Sequence, residues 1–190
     1  MEEIQTIKVK TQQWLERAVI GLNLCPFAKA VHIKGQIHYA ISNAEDRDAL
    51  MEDLKTELQA LLAHTAEQRD TTLLIAPRVL PDFLDFNAFL PLCDRALKKM
   101  GLEGEMQIAS FHPHFQFAGT DADDVTNNTN RAPYPILHLL RESSIDRAVK
   151  AFPNPEVIFE ANMATLQALG PEGWLALTQD GNKNEDKIVR

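Results

Sequence analysis

Between Ser110 and Glu142 the chain reads SFHPHFQFAGTDADDVTNNTNRAPYPILHLLRE, and three of its six histidines lie there. His112 and His114 flank Pro113 at the end of an apolar run. In extended backbone, residues two apart share a face, so the two imidazoles are expected side by side. Such a pair suits a metal ion or a phosphate, and one imidazole suits acid–base work near neutral pH. The competing reading is a core histidine bonded to a backbone carbonyl. Phe111, Phe115 and Phe117 alternate with His112, His114 and Gln116. That alternation predicts an aromatic face packed on helices and a polar face turned to a cavity.

The run Asn130-Arg131-Ala132-Pro133-Tyr134-Pro135 predicts a proline-held entry into a helix from Pro135 to Lys150. Arg131 then stands beside a helix N-terminus, where anions bind. Its guanidinium adds a bidentate fork for carboxylate or phosphate, with Asn130 and Tyr134 as flanking contacts. On that helix His138 and Arg141 share a face, and Glu142 follows His138 by one turn to orient it. The alternative is a surface ion pair of Arg141 with Glu142 or Asp146. Asp121, Asp123 and Asp124 offer oxygen ligands to a hard cation. Their spacing does not complete an EF-hand loop, and a solvated rim explains them as well.

Two cysteines, Cys25 and Cys93, are too few for a disulfide framework and form no CxxC pair. Pro26 suits the first turn of a helix, which makes Cys25 its N-cap, with a dipole that favours the thiolate and Lys29 close by. Equally, a free cysteine is a small core hydrophobe, and Cys93 in FLPLCDRAL reads as core. Together these residues nominate His112, His138 and Cys25 for catalysis. Arg131, Arg141, Arg78, His114, Asn130 and Tyr134 are nominated for ligand contact.

The elements that must hold these groups follow from periodicity. A first helix is expected over Ile4–Leu24, a strand over Gln36–Ser42, and a helix from Ala44 to about His64 capped by Asn43 or Ser42. A doubly buried strand follows at Thr71–Ala76, a helix at Asp82–Met100 stopped by Gly101, and a third strand at Glu105–Phe111. The fourth helix follows, and a fifth starts at Asn154-Pro155 and ends near Gly170. Strand–helix–strand–helix–strand order predicts an α/β (or α+β) fold with a small, largely parallel sheet of three to four strands. A third strand that ran antiparallel would give a ferredoxin-like sandwich instead. Ligands of open α/β sheets bind beyond the carboxyl ends of the strands, here at Ser42-Asn43, Pro77-Arg78 and His112-Pro113-His114.

A chain of 190 residues, 45% of them apolar, fills one core, so a single domain is expected over residues 1–178 with a disordered tail over 179–190. A net charge of -8 argues against nucleic acid and anionic membrane surfaces as partners, while leaving room for a local basic pocket. No apolar run approaches the ~20 residues of a membrane span, and no signal-peptide pattern opens the chain. A cytoplasmic location is expected, and the aromatic residues leave a homo-oligomer open.

GLNLCPFAK, SFHPHFQFAG and NRAPYPILHLLRE resemble an uncharacterised bacterial family, the domain-of-unknown-function family numbered fourteen-fifteen, over nearly the whole chain up to about Leu177. The resemblance implies that Cys25-Pro26, His112-Pro113, Asn130-Arg131, Pro133-Tyr134-Pro135, His138 and Arg141 occupy family motif positions. It assigns them no role and no cofactor. The leading expectation is an enzyme that acts on a small anionic metabolite, with His112 or His138 as acid or base, the arginines as anion holders and Cys25 as nucleophile. It requires these residues to converge. A binding or assembly protein without catalysis is the second expectation. The third is a metal site built from Cys25, His112, His114 and His138.

Overall fold

A computed structural model describes residues 3–151 and 155–179. Helix α1 covers Ile4–Trp14 and runs into a π-helical turn, Leu15–Ile20, and α2 covers Ala28–Ile33. Strand β1 (Ile37–Ile41), α3 (Arg47–Leu62), β2 (Thr71–Ile75), α4 (Phe83–Lys99) and β3 (Met106–Phe111) follow in alternation. A short 3-10 helix (Val125–Asn130) leads to β4 (Ile136–Arg141), then α5 (Glu142–Ala151) and α6 (Pro155–Gln179). Helix α6 is broken at Gly170, whose φ of 69° and ψ of 173° leave the helical region just before Pro171.

The local chemistry explains the boundaries. Asp46 caps α3 by accepting the Ala49 N–H at 2.8 Å. Asp82 caps α4 by accepting the Leu84 and Asp85 N–H groups at 2.8 and 3.0 Å. Leu50, Leu54, Leu58 and Leu61 recur at helical spacing along α3, and all four are fully buried. Each such leucine contributes ~1.5–3 kcal/mol relative to an exposed one.

The sheet order is β1-β2-β4-β3. Strands β1 and β2 pair in parallel, from Ile37↔Thr71 to Ile41↔Ile75. Strand β4 pairs antiparallel with both β2 and β3, so Leu73, His138 and Ala109 stand in one row. Side chains alternate across the strands, and two cores result. On one face Leu74, Leu137, Leu139 and Met106 pack with the leucines of α3 and with Phe86 and Phe89 of α4. On the other, Leu73, Ile75 and Ile136 pack with Ile7, Trp14, Leu15, Ala18 and Val19.

The α/β class thus holds, with the sheet mixed and mostly antiparallel rather than largely parallel. The correction comes from one element. ILHLLR, expected to open a helix, is a strand, and the helix starts only at Glu142. Strands β1, β2 and β3 share one direction as expected, because β4 opposes both β2 and β3. The expected cap of α3 also moves. Ser42 Oγ instead donates to Asp53 at 2.6 Å and accepts the Ala44 N–H at 3.0 Å. The last helix, expected to end near Gly170, continues beyond its break there to Gln179, the first residue of the expected tail; its expected start at Asn154 and the rest of the tail over 179–190 lie outside the described residues. No helix among the described residues is long and apolar enough to cross a membrane.

Candidate functional site

Strand β3 delivers His112 to the end of the sheet, where the chain turns back. The Phe115 N–H bonds the His112 carbonyl at 3.1 Å, so the alternation expected through Phe117 stops at Phe111. Phe111 packs edge-on against Trp14 on the α1 side, with ring centroids 5.2 Å apart. The His112 ring goes to the other face, 5.5 Å from Phe83 and 5.1 Å from Phe86, and is fully buried. Its Nδ1 accepts the His114 backbone N–H at 3.0 Å. Nε2 therefore carries the proton and donates to the Leu80 carbonyl at 3.1 Å. Burial holds its pKa below 6.5, against the raising pull of that carbonyl. Both nitrogens are spent on the backbone, as a core histidine requires.

His138, expected on a helix face, projects from the middle of β4 toward the α1 side. Thr71 Oγ1 donates to the Leu139 carbonyl at 2.6 Å, so its hydrogen is committed. The 2.7 Å contact between Thr71 Oγ1 and His138 Nε2 then has the imidazole donating. Burial pushes its pKa down from 6.5 to about 4. Arg141, three residues on, points to the opposite face. Its Nη2 donates to the carbonyls of Leu61, His64 and Arg69 at 2.6, 2.7 and 3.2 Å, and so caps the end of α3. At ~3.3 Å per residue, the length of β4 separates Arg141 from the Arg131 end by roughly 16 Å.

The other nominated residues are equally dispersed. Cys25 lies in a bend before α2, whose N-cap is Phe27, so the thiol does not cap that helix. It packs half-buried against the α1-side core, as does Tyr134. Cys93 is buried within α4, and burial pushes its thiol up to about 12. Arg78 lies 4.0 Å from Glu45 in the turn after β2. His114 is exposed, its ring 5.9 Å from that of His112. Asn130 Nδ2 donates to the Ser110 carbonyl at 3.2 Å, and the Asn130 carbonyl accepts the His112 N–H at 3.1 Å. No group of three or more His, Cys, Asp or Glu side chains able to hold a metal occurs among the described residues. The expected convergence of His112, His138, Cys25 and both arginines is therefore corrected. These side chains are distributed over both faces and both ends of the sheet.

What does converge is a cleft of about 1080 Å³ beside α1. One wall is the solvent side of α1 and the π-helical turn, with Thr6, Lys10, Gln13 and Arg17 at helical spacing. The second wall is the acidic loop. Asn127, fully buried, organises it by accepting the Phe117 N–H and the Thr120 hydroxyl, both at 2.9 Å, and donating to the Asp121 carbonyl at 2.8 Å. Asp124 caps the 3-10 helix through the hydroxyl and N–H of Thr126, bonds that hold its pKa below 3.8. Arg131 braces the same loop, donating from Nε to the Phe115 carbonyl at 3.1 Å and from Nη2 to the Ala122 carbonyl at 2.6 Å. Its Nη1 reaches Asn128 Oδ1 at 3.5 Å. The third wall is the last part of α6, where Pro171, Trp174, Leu175 and Leu177 face the cleft.

Arg17 lies within the π-helical turn and lines the cleft. Gly21 N–H bonds Glu16 O at 3.0 Å and Leu24 N–H bonds Val19 O at 2.9 Å, both five residues back. A side chain at Gly21 would overlap the Arg17 carbonyl oxygen, so glycine is what lets the turn close. Arg17 is half-buried and enters no ion pair or hydrogen bond among the described residues. Lys10, Arg17 and Arg131 line this cleft with one carboxylate, Asp123, and the rest of its described lining is uncharged. Lys10, Arg17 and Trp174 were not nominated from sequence. The signal was the polar face of the first helix, whose apolar face alone was used to place it.

Fold and cleft define a mixed-sheet α/β protein with an open cleft whose described lining carries three cations and one carboxylate. The chain belongs to the family described as Protein of unknown function (DUF1415), which matches residues 6–176. No curated protein and no solved structure matches it.

Proposed function

We propose that the protein binds a small organic anion in the cleft between α1, the Asp121–Pro133 loop and the end of α6. The observation that carries this reading is local charge. The chain has a net charge of -8, yet the described lining of this cleft carries three cations and one carboxylate. Low-dielectric walls focus such a field, and Trp174, Leu175 and Val9 supply the apolar contact that a small-molecule site requires. Arg17 is the anchor, because its guanidinium has no partner among the described residues. Histidine acid–base chemistry has no part in this reading, since the described cleft lining contains no histidine or cysteine.

The test is a thermal-shift screen of alkyl, aryl, carboxylated and phosphorylated small molecules. A ligand at a hundredfold excess over its Kd stabilises the native state by about 2.7 kcal/mol. Arg17→Glu is expected to abolish the shift, and Arg95→Glu, an exposed site on α4, to leave it intact. A shift that survives Arg17→Glu would place the ligand elsewhere.

A further inference from the structure

We infer that the anionic group is a single carboxylate on an apolar body, and that Arg17 selects it over a phosphate. The inference rests on the cleft reading above and turns on which donors are still open. Arg131 contributes its charge but is already partly engaged, with Nε and Nη2 donating to the Phe115 and Ala122 carbonyls and Nη1 facing Asn128 Oδ1. Lys10 is exposed and acts as a point charge at the mouth. Among the described residues of the cleft, Arg17 carries the wholly unengaged guanidinium fork. Two parallel N–H groups match the two oxygens of one carboxylate. A phosphate ester carries close to two charges and three free oxygens, more than one fork covers, and Asp123 on the described lining opposes its second charge more than the single charge of a carboxylate.

The body of the ligand follows from the same lining. The indole N–H of Trp14 is committed to the Arg131 carbonyl at 2.8 Å, so Trp14 offers the cleft only its apolar surface. Leu175 is 51% exposed and Val9 37% exposed on facing lips, apolar area that a bound hydrocarbon would cover. Trp174 adds an aromatic face. The class this defines is an alkyl or arylalkyl monocarboxylate.

Titration calorimetry with phenylacetate, octanoate, phenyl phosphate and inorganic phosphate tests this on the full chain. At least one of the two carboxylates is expected to bind at least tenfold tighter than phenyl phosphate, and the octanoate and phenylacetate arms separate alkyl from aryl bodies. Arg17→Gln is expected to weaken that carboxylate at least tenfold, with part of the loss restored in Arg17→Lys. Phenyl phosphate binding as tightly as the carboxylates, and through Arg17, would overturn the carboxylate assignment while the cleft reading stands. Carboxylate binding untouched by Arg17→Gln, or no binding by any of the four, would overturn both.

Discussion

Replacement of His112 by alanine separates a structural imidazole from a working one. The ring is fully buried, holds two backbone groups and lies between Phe83 and Phe86. One of those groups is the carbonyl of Leu80, a buried residue with a φ of 57°. That left-handed conformation costs a non-glycine residue roughly 1–2 kcal/mol, and the His112 bond helps to hold it. Each hydrogen bond contributes ~1 kcal/mol, and a partner left buried without one costs more. Truncating a buried aromatic ring adds about 3 kcal/mol of lost packing and cavity. The expected loss for His112→Ala is therefore about 5 kcal/mol. In a chain of this length that lowers Tm by roughly 10–20 °C. His112→Asn, whose Oδ1 replaces Nδ1 as acceptor for the His114 N–H, is expected to recover ~1 kcal/mol. Urea titration and calorimetry measure both. A His112→Ala protein that melts within about a degree of the parent, yet loses ligand binding, would refute the structural assignment.

His138 predicts acid sensitivity. Its folded pKa of about 4 lies below its ordinary 6.5, so the unfolded chain binds more protons between the two values. Stability is complete above pH 6.5 and falls by up to about 3 kcal/mol as pH drops toward 4; His138→Leu should flatten that slope in denaturant titrations. Arg141→Ala uncaps the end of α3 and strands three carbonyls, for an expected loss of about 2–4 kcal/mol, and Arg141→Lys should restore part of it; a loss below about 1 kcal/mol would contradict the capping role. Gly21→Ala opens the π-helical turn against the Arg17 carbonyl, with an expected cost of about 1–3 kcal/mol and weaker binding of any cleft ligand by calorimetry.

Much of the fold was legible because its signals are local. The leucine stripe of α3, the buried run TTLLI and the order of alternating elements each read directly. Strand β4 was not legible, because Ile136–Leu140 is apolar toward both cores and shows no two-residue alternation. Pro133 and Pro135 mimic a helix entry, and a true amphipathic helix begins one residue after Arg141. That single misreading put His138 and Arg141 on one face, when strand geometry puts them on opposite ones. The basic cleft was anticipated only as a possibility of charge. Its walls come from residues more than a hundred positions apart, joined by Trp14 bonding Arg131 O and by Asn162 bonding Leu24 O.

Strand β4 has a consequence for the order of assembly. It is the last strand made, yet it lies between β2 and β3. A nascent chain that has reached Phe111 can join β1 to β2, but β3 has no hydrogen-bonded neighbour until Ile136–Arg141 emerges. Until then two inner edges stand open, and β2 and β3 each present a full row of unpaired backbone groups. Such edges template pairing between chains, and closing them late demands long-range contacts that form slowly. A chain cut before Pro135 is thus expected to aggregate rather than to fold as a smaller sheet. The central strand acts as the keystone, and the molecule is most vulnerable in the interval before it is set.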